Sequence, residues 1–271
     1  MSRLEPPRQE DTGDEQALTF WEHLDILRGS IIKMMVVIIA AAVVAFCFKD
    51  LLFDIILAPK DPDFITYRLL GDTAFSIQLV NIGLTEQFMI HLKAAFWFGC
   101  LAASPYVLFL LYRFIAPALY DDERRYSLRV VGGGYLMFVV GILVNYFLIF
   151  PLTVRFLGTY SVSDSVRNLL SLQSYTDTLF MMSLVFGIVF ELPVISWLLA
   201  VFGVLRASWM KRYRRHAYVA ILIVAAVITP TSDAFTMLIV SVPICFLYEA
   251  SILIVRLTRA EAGKEIREED G

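Results

Sequence analysis

Charge is scarce in this chain: Asp, Glu, Lys and Arg make up 18% of its 271 residues, whereas 58% are hydrophobic. A soluble domain carries roughly 25% charge and 45–50% apolar residues, so water is not the main solvent this sequence is built for. Cysteine is scarcer still. Cys47, Cys100 and Cys245 each lie inside an apolar run, without CxxC spacing or a nearby His to complete a metal site, and they read as buried small hydrophobes. There is no HExxH, no GxSxG and no GxxxxGKS/T, the three histidines His23, His91 and His216 are far apart, and no aspartate pair lies in an apolar run. Those absences leave no catalytic pair, no metal and no cofactor to build a function on. Gly132, Gly133 and Gly134 have no preceding strand and no following lysine, so close helix packing is their expected role. The first twenty residues, including EPPRQEDTGDEQ, lack the basic and apolar regions of a cleavable signal and read as a disordered acidic tail on the cytoplasmic side. A net charge of −3, its acidic residues gathered in tails and loops, argues against nucleic acid. No repeat of twenty to fifty residues is visible, which weakens a rocker-type transporter.

What is present is long apolar runs. A helix crossing about 30 Å of hydrocarbon needs roughly 20 apolar residues. Four runs meet that length, near residues 31–48, 88–112, 130–150 and 179–202. A fifth, 217–228, covers only about 12 residues or roughly 18 Å, and a sixth, 235–255, is interrupted by Pro243. Basic residues cluster at 28–33, 113–129, 206–215 and 256–259 and are sparse in the intervening loops, the bias that marks cytoplasmic faces. Six spans with both termini cytoplasmic fit that bias, within one membrane domain over 21–258 followed by a charged tail over 259–271. Before the first span, FWEHLDILRGSIIK repeats Trp21, Leu24 and Leu27 at helical spacing, so an amphipathic helix along the interface should lead into the membrane.

Ionisable residues inside apolar runs are costly, and each needs a reason. Glu191 lies near the middle of the fourth span in FELPV, where a carboxylate costs about 2.5–3.5 kcal/mol on insertion scales. It should face protein or water, and Pro193 should kink the helix beside it. Glu249 lies in the last third of the sixth span. On the basic side, FIAPALYDDERRYSLR places Glu123 beside Arg124 and Arg125, a loop that could hold a basic peptide or simply pair its own charges in water.

These segments resemble the TatC family, the membrane subunit of the twin-arginine protein translocase. The resemblance rests on HLDILR (residues 23–28), FIAPALYDDERR (114–125), NYFLIFP ending at Pro151, FELPV (190–194), TPTSD (229–233) and LYE ending at Glu249. It implies an all-α membrane protein, six helices in a cupped bundle with short fifth and sixth members, in a bacterial inner membrane. By that resemblance the N-terminal helix and first cytoplasmic loop receive signal peptides carrying an arginine pair, with Glu123, Arg124, Arg125, Glu22, Asp25, Arg28 and Glu191 as the binding residues. A carboxylate suits that task, because guanidinium groups offer bidentate, charge-assisted hydrogen bonds. Where the family's HLxELR motif has glutamate, this chain has Ile26; Asp25 points about 100° away on a helix, whereas Glu22, four residues earlier, shares the face of Ile26. Partner helices of the TatA and TatB types are implied at Thr229, Pro230, Asp233, Met237 and Glu249, with Met237 where a polar residue often stands, and self-association is expected.

The expected function is therefore a signal-peptide receptor and core subunit for export of folded proteins, driven by the proton-motive force and with no enzyme activity of its own. The rival from another class is a small-solute or ion transporter using Glu191 and Lys93. An intramembrane enzyme is the third, and it lacks a catalytic pair.

Overall fold

A computed structural model describes residues 20–71, 77–115, 127–160, 169–229 and 233–269. The described chain is almost wholly helical. Five helical stretches are long and apolar enough to cross a membrane: Leu27–Phe46, Glu86–Leu111, Val131–Thr159, Leu172–Val201 and Ala234–Thr258. They belong to helix α1 (Phe20–Phe46), α4 (Glu86–Ile115), α5 (Ser127–Val144) continued by α6 (Phe150–Thr159), α7 (Leu172–Val189) continued by α8 (Leu192–Val201), and α11 (Ala234–Glu269). Between α1 and α4 lie the short helices α2 (Lys49–Leu57) and α3 (Ile65–Leu70), and α9 (Ala207–Arg212) leads into α10 (Arg214–Ile228). At 15 residues, α10 spans about 22 Å, less than a bilayer core.

Several expectations are corrected in their details. Residues 20–46 form one continuous helix, so no separate interfacial helix precedes the first span. Pro243 lies inside α11 without ending it, and that helix runs on through most of the charged tail to Glu269. A transmembrane helix tolerates proline where neighbours absorb the freed carbonyl. The third span outlasts its apolar run by continuing through a π-helical turn at Asn145–Ile149 into α6. None of the three cysteines is buried: Cys47 is exposed, and Cys100 and Cys245 are partly exposed. Apolar sequence alone cannot tell a lipid-facing position from a core one, because both are hydrocarbon.

Helix α1 has no buried residue between Leu27 and Phe46 and packs mainly along α4. The two backbones touch where Gly99 faces Ala42; a Cβ at Gly99 would stand 2.6 Å from the Ala42 nitrogen. Gly141 of α5 is equally tight against α7, where a Cβ would stand 2.5 Å from the Phe186 carbonyl oxygen. Small residues at such crossings let van der Waals contact replace the hydrophobic drive that lipid does not supply. The apolar core gathers Ile56, Ala94, Phe150, Tyr175, Phe186, Ile221, Val240 and Ile244 from six helices.

At one end of the bundle the segments between spans form a cap. Its carbonyls are met by tyrosines: Tyr146 donates to Ile55 (2.7 Å) and Tyr175 to Ile56 (3.0 Å), both in the last turn of α2, where a helix has no backbone donors of its own. Tyr67 is fully buried, with its hydroxyl 2.8 Å from the Pro59 carbonyl and 3.0 Å from that of Pro151. Burial pushes its phenol pKa up, as expected for a group whose ion would lose water. Strand β1 (Leu79–Val80) pairs in parallel with β2 (Leu170–Ser171). Beneath it Glu86, 8% exposed, accepts from the backbone of Ile82 (3.1 Å), Gly83 (2.8 Å) and Gln173 (3.0 Å), and from the Ser171 hydroxyl (3.2 Å).

Adding one methyl group at Gly99 forces α1 away from α4. Gly99→Ala is expected to lower the unfolding free energy in detergent by about 1–3 kcal/mol, measured by denaturant titration. An unchanged midpoint would mean that the helices do not cross there.

Candidate functional site

The helix break that centres the site follows from Pro193. With no N–H it cannot bond the Val189 carbonyl four residues back; α7 ends at Val189 and α8 begins at Leu192. Phe190 and Glu191 form the joint, and Glu191 takes the cap position of α8. Ten residues separate it from the end of the stretch at Val201, which is about 15 Å at helical rise and puts it near the bilayer midplane. The carboxylate faces α5 at Gly134, where a Cβ would stand 3.1 Å from Oε2. Oε1 is buried and, among the described residues, has no hydrogen-bond partner. A carboxyl group so placed is an acceptor held ready for a donor from elsewhere, since leaving it unmatched costs about 1–3 kcal/mol.

The expected packing role of the glycine run therefore falls on Gly134 alone. Positions 132 and 133 face open space, with nothing described within 4 Å of a Cβ there. Deeper in the same helix pair, fully buried Asn145 donates to Ser183 (2.9 Å), and its Oδ1 also lacks a described partner. Asn145 opens the π turn, a feature that recurs at functional positions. The apolar window around NYFLIFP hides this pair, and only an amide in an otherwise hydrocarbon run signals it.

The ionic partner of Lys93 is a residue other than Glu191. Lys93 pairs with Asp177 of α7, Nζ to Oδ1 2.8 Å, with both side chains a little under half exposed. Seven residues beyond Glu86, the pair lies about 10 Å below the cap. Asp177 went unread in the sequence, since one acid after a polar stretch looks like a span boundary.

The residues expected to bind partners separate into different roles. Asp233 caps α11, accepting the Thr236 N–H on Oδ1 at 2.7 Å, which satisfies one of the helix's free amide groups. Thr229 is 2% exposed and lies at the end of α10, while Met237 packs partly buried against the core. Glu249 is engaged within the chain: Oε2 accepts from Arg214 (2.7 Å) and Oε1 from Tyr218 (2.5 Å). It ties α10 to α11, so it is a structural tie and not a free docking group. On α1, Asp25 and Arg28 are exposed, and Glu22 lies in the same helix. Glu123, Arg124, Arg125 and Pro230 fall outside the described residues. Among the described residues no cluster of His, Cys, Asp or Glu could hold a metal ion.

Comparison with known proteins gives one consistent result. The family model for the Sec-independent protein translocase protein TatC matches residues 22–243. Relatives named Sec-independent protein translocase protein TatC include that of Deinococcus radiodurans, 33% identical over 98% of this chain and 97% of its own length. That of Koribacter versatilis is 34% identical over 93% and 90%, respectively. A crystal structure described as the twin arginine translocase receptor TatC superposes with a TM-score of 0.75 at 29% identity, covering 88% of this chain and all of that one.

A bulky side chain at Gly134 would push the Glu191 carboxylate from its place. Gly134→Leu is expected to lower the melting temperature in detergent by several degrees, whereas Gly132→Ala and Gly133→Ala leave it unchanged or raise it, since alanine favours helix by up to about 1 kcal/mol. Equal effects at all three positions would remove the contact.

Proposed function

This chain belongs to the TatC family, and we propose that it serves as the receptor subunit of a twin-arginine translocase. The observation that carries the reading is the Glu191 carboxyl group, set at a helix break near the midplane with Oε1 buried and unmatched among the described residues. A structural carboxyl would be expected to end in a bond, as Glu86 in the cap and Glu249 in α11 do. Glu191 instead suits a ligand that arrives with polar groups of its own.

The arginine pair of a signal peptide is captured on the cytoplasmic side by Glu123, flanked by Arg124 and Arg125, with Glu22, Asp25 and Arg28 on the end of α1 completing the surface. The rest of the signal inserts as a hairpin along the Glu191 face. Single-span partners of the TatA and TatB types dock against α10, α11 and the turn holding Thr229, Pro230, Asp233 and Met237. The short α10 crosses as a sixth span. Its start is tied to Glu249, and its 15 residues run beside the stretch of α11 that begins near Phe235, which leaves both termini in the cytoplasm of a bacterial inner-membrane protein. Transport draws on the proton-motive force, and the chain hydrolyses nothing. The pairing of Lys93 with Asp177 removes the partner that the solute-transporter reading required.

Site-specific crosslinking from position 123 to a precursor tests the receptor reading. Labelling should fall about tenfold or more when the arginine pair is replaced by lysines, because an ammonium cannot reproduce the bidentate fork; equal labelling would sink the assignment. Independently, Glu191→Ala should reduce export of a folded reporter at least tenfold while leaving the variant's membrane insertion intact. Wild-type export would return Glu191 to a structural role.

A further inference from the structure

The segment from the end of α8 into the first turn of α10 carries five basic residues in ten positions: Arg206, Lys211, Arg212, Arg214 and Arg215. Among the described residues, Arg214 alone of the five forms an ion pair within the chain, with Glu249. Arg206, Lys211, Arg212 and Arg215 are all exposed, and among the described residues none has a carboxylate within ion-pair distance. Between them stand two aromatics, Trp209 and Tyr213, each 55% exposed. The Arg206 guanidinium lies 5.9 Å from the Trp209 ring centroid, and the Tyr213 ring is 5.8 Å from His216.

This surface is held in place. Tyr248 of α11 donates to the Met210 carbonyl at 2.8 Å, Tyr213 receives backbone support from Trp209 at 3.0 Å, and the Arg214–Glu249–Tyr218 cluster fixes the first turn of α10. Position relative to the bilayer supplies the occupant. The patch sits at the mouth of a helix about 8 Å shorter than the hydrocarbon core, so lipid headgroups must come inward at this point or leave the helix end mismatched. Exposed Trp and Tyr belong at headgroup depth, and a cluster of four or more cations there attracts anionic lipid.

We propose that α9 and the start of α10 form a binding site for anionic phospholipid headgroups, with Lys211, Arg212 and Arg215 on the phosphates and Trp209 and Tyr213 seated among the acyl–headgroup boundary. The site draws those lipids to the thin end of the bundle and lets a 15-residue helix cross. It does not depend on the signal-peptide reading, but it rests on the reading of α10 as a membrane span. Ordinary orientation by positive charge would need no preference between phospholipids and would leave no saturable site.

The test is thermal unfolding of the full chain in a neutral maltoside detergent, titrated separately with phosphatidylglycerol, phosphatidylcholine and inorganic phosphate. Phosphatidylglycerol should raise the melting temperature saturably by several degrees, with the other two giving no more than a small fraction of that shift. In K211Q/R212Q/R215Q the phosphatidylglycerol concentration at half effect should rise at least tenfold, with the lipid-free melting temperature and helical circular dichroism unchanged. If the triple variant unfolds, K211Q alone carries the measurement, because its side chain is exposed and makes no described contact; a shift of about threefold or more is then expected. An unaltered response in the variants, an equal response to phosphatidylcholine, or stabilisation by inorganic phosphate alone would each overturn the proposal.

Discussion

A proline in a bilayer helix leaves a carbonyl with no N–H to meet it and no water to substitute, and much of this fold is arranged around that deficit. Pro105 deprives Leu101, whose carbonyl accepts the Ser104 hydroxyl at 2.7 Å. Pro151 deprives Phe147, whose carbonyl accepts the Thr66 hydroxyl from the cap. That second repair crosses between elements, linking the third span at its π turn to α3. The cap is therefore part of the membrane domain's hydrogen bonding, with Tyr67 touching the carbonyls of Pro59 and Pro151 together.

The same accounting distinguishes the intramembrane and interfacial acids. Glu86, in the first turn of α4, accepts four hydrogen bonds and joins the turn after β1, the end of β2 and the first turn of α7. Asp177 has Lys93, and Glu249 has Arg214 and Tyr218. Glu191 differs because Pro193 breaks the helix at its own position and Gly134 opposite offers space but no donor. Geometry, not residue type, sets the carboxyl group of Glu191 apart from the three that hold the bundle together.

Much of this was legible in the sequence. Apolar runs located the long helices to within a turn or so at most ends, and Pro193 correctly marked an interruption beside Glu191. Pro243 did not behave the same way, because a proline ends a helix only when the chain around it lacks support, and α11 is packed along α8 and α10. Lateral position was the least readable property. Gly132, Gly133 and Gly134 are alike as letters, yet only the last meets a neighbour, and the cysteines were misplaced because lipid and protein interior select the same side chains. The pairings Lys93–Asp177, Asn145–Ser183 and Thr66–Phe147 join residues 84, 38 and 81 positions apart, a separation that no local pattern encodes.

The parallel pairing of β1 with β2, small as it is, bears on the order in which the protein can be assembled during synthesis. Leu79 has no partner until Leu170 exists, and Glu86 waits equally long for Ser171 and Gln173. At about 5–20 residues per second a ribosome needs on the order of 5–20 s to make that interval. Through that time α1 and α4 have their own crossing to hold them together, with the cap unfinished. The glycine at their contact thus has a temporal task as well as a spatial one: it secures an early helix pair that later strands and tyrosines complete.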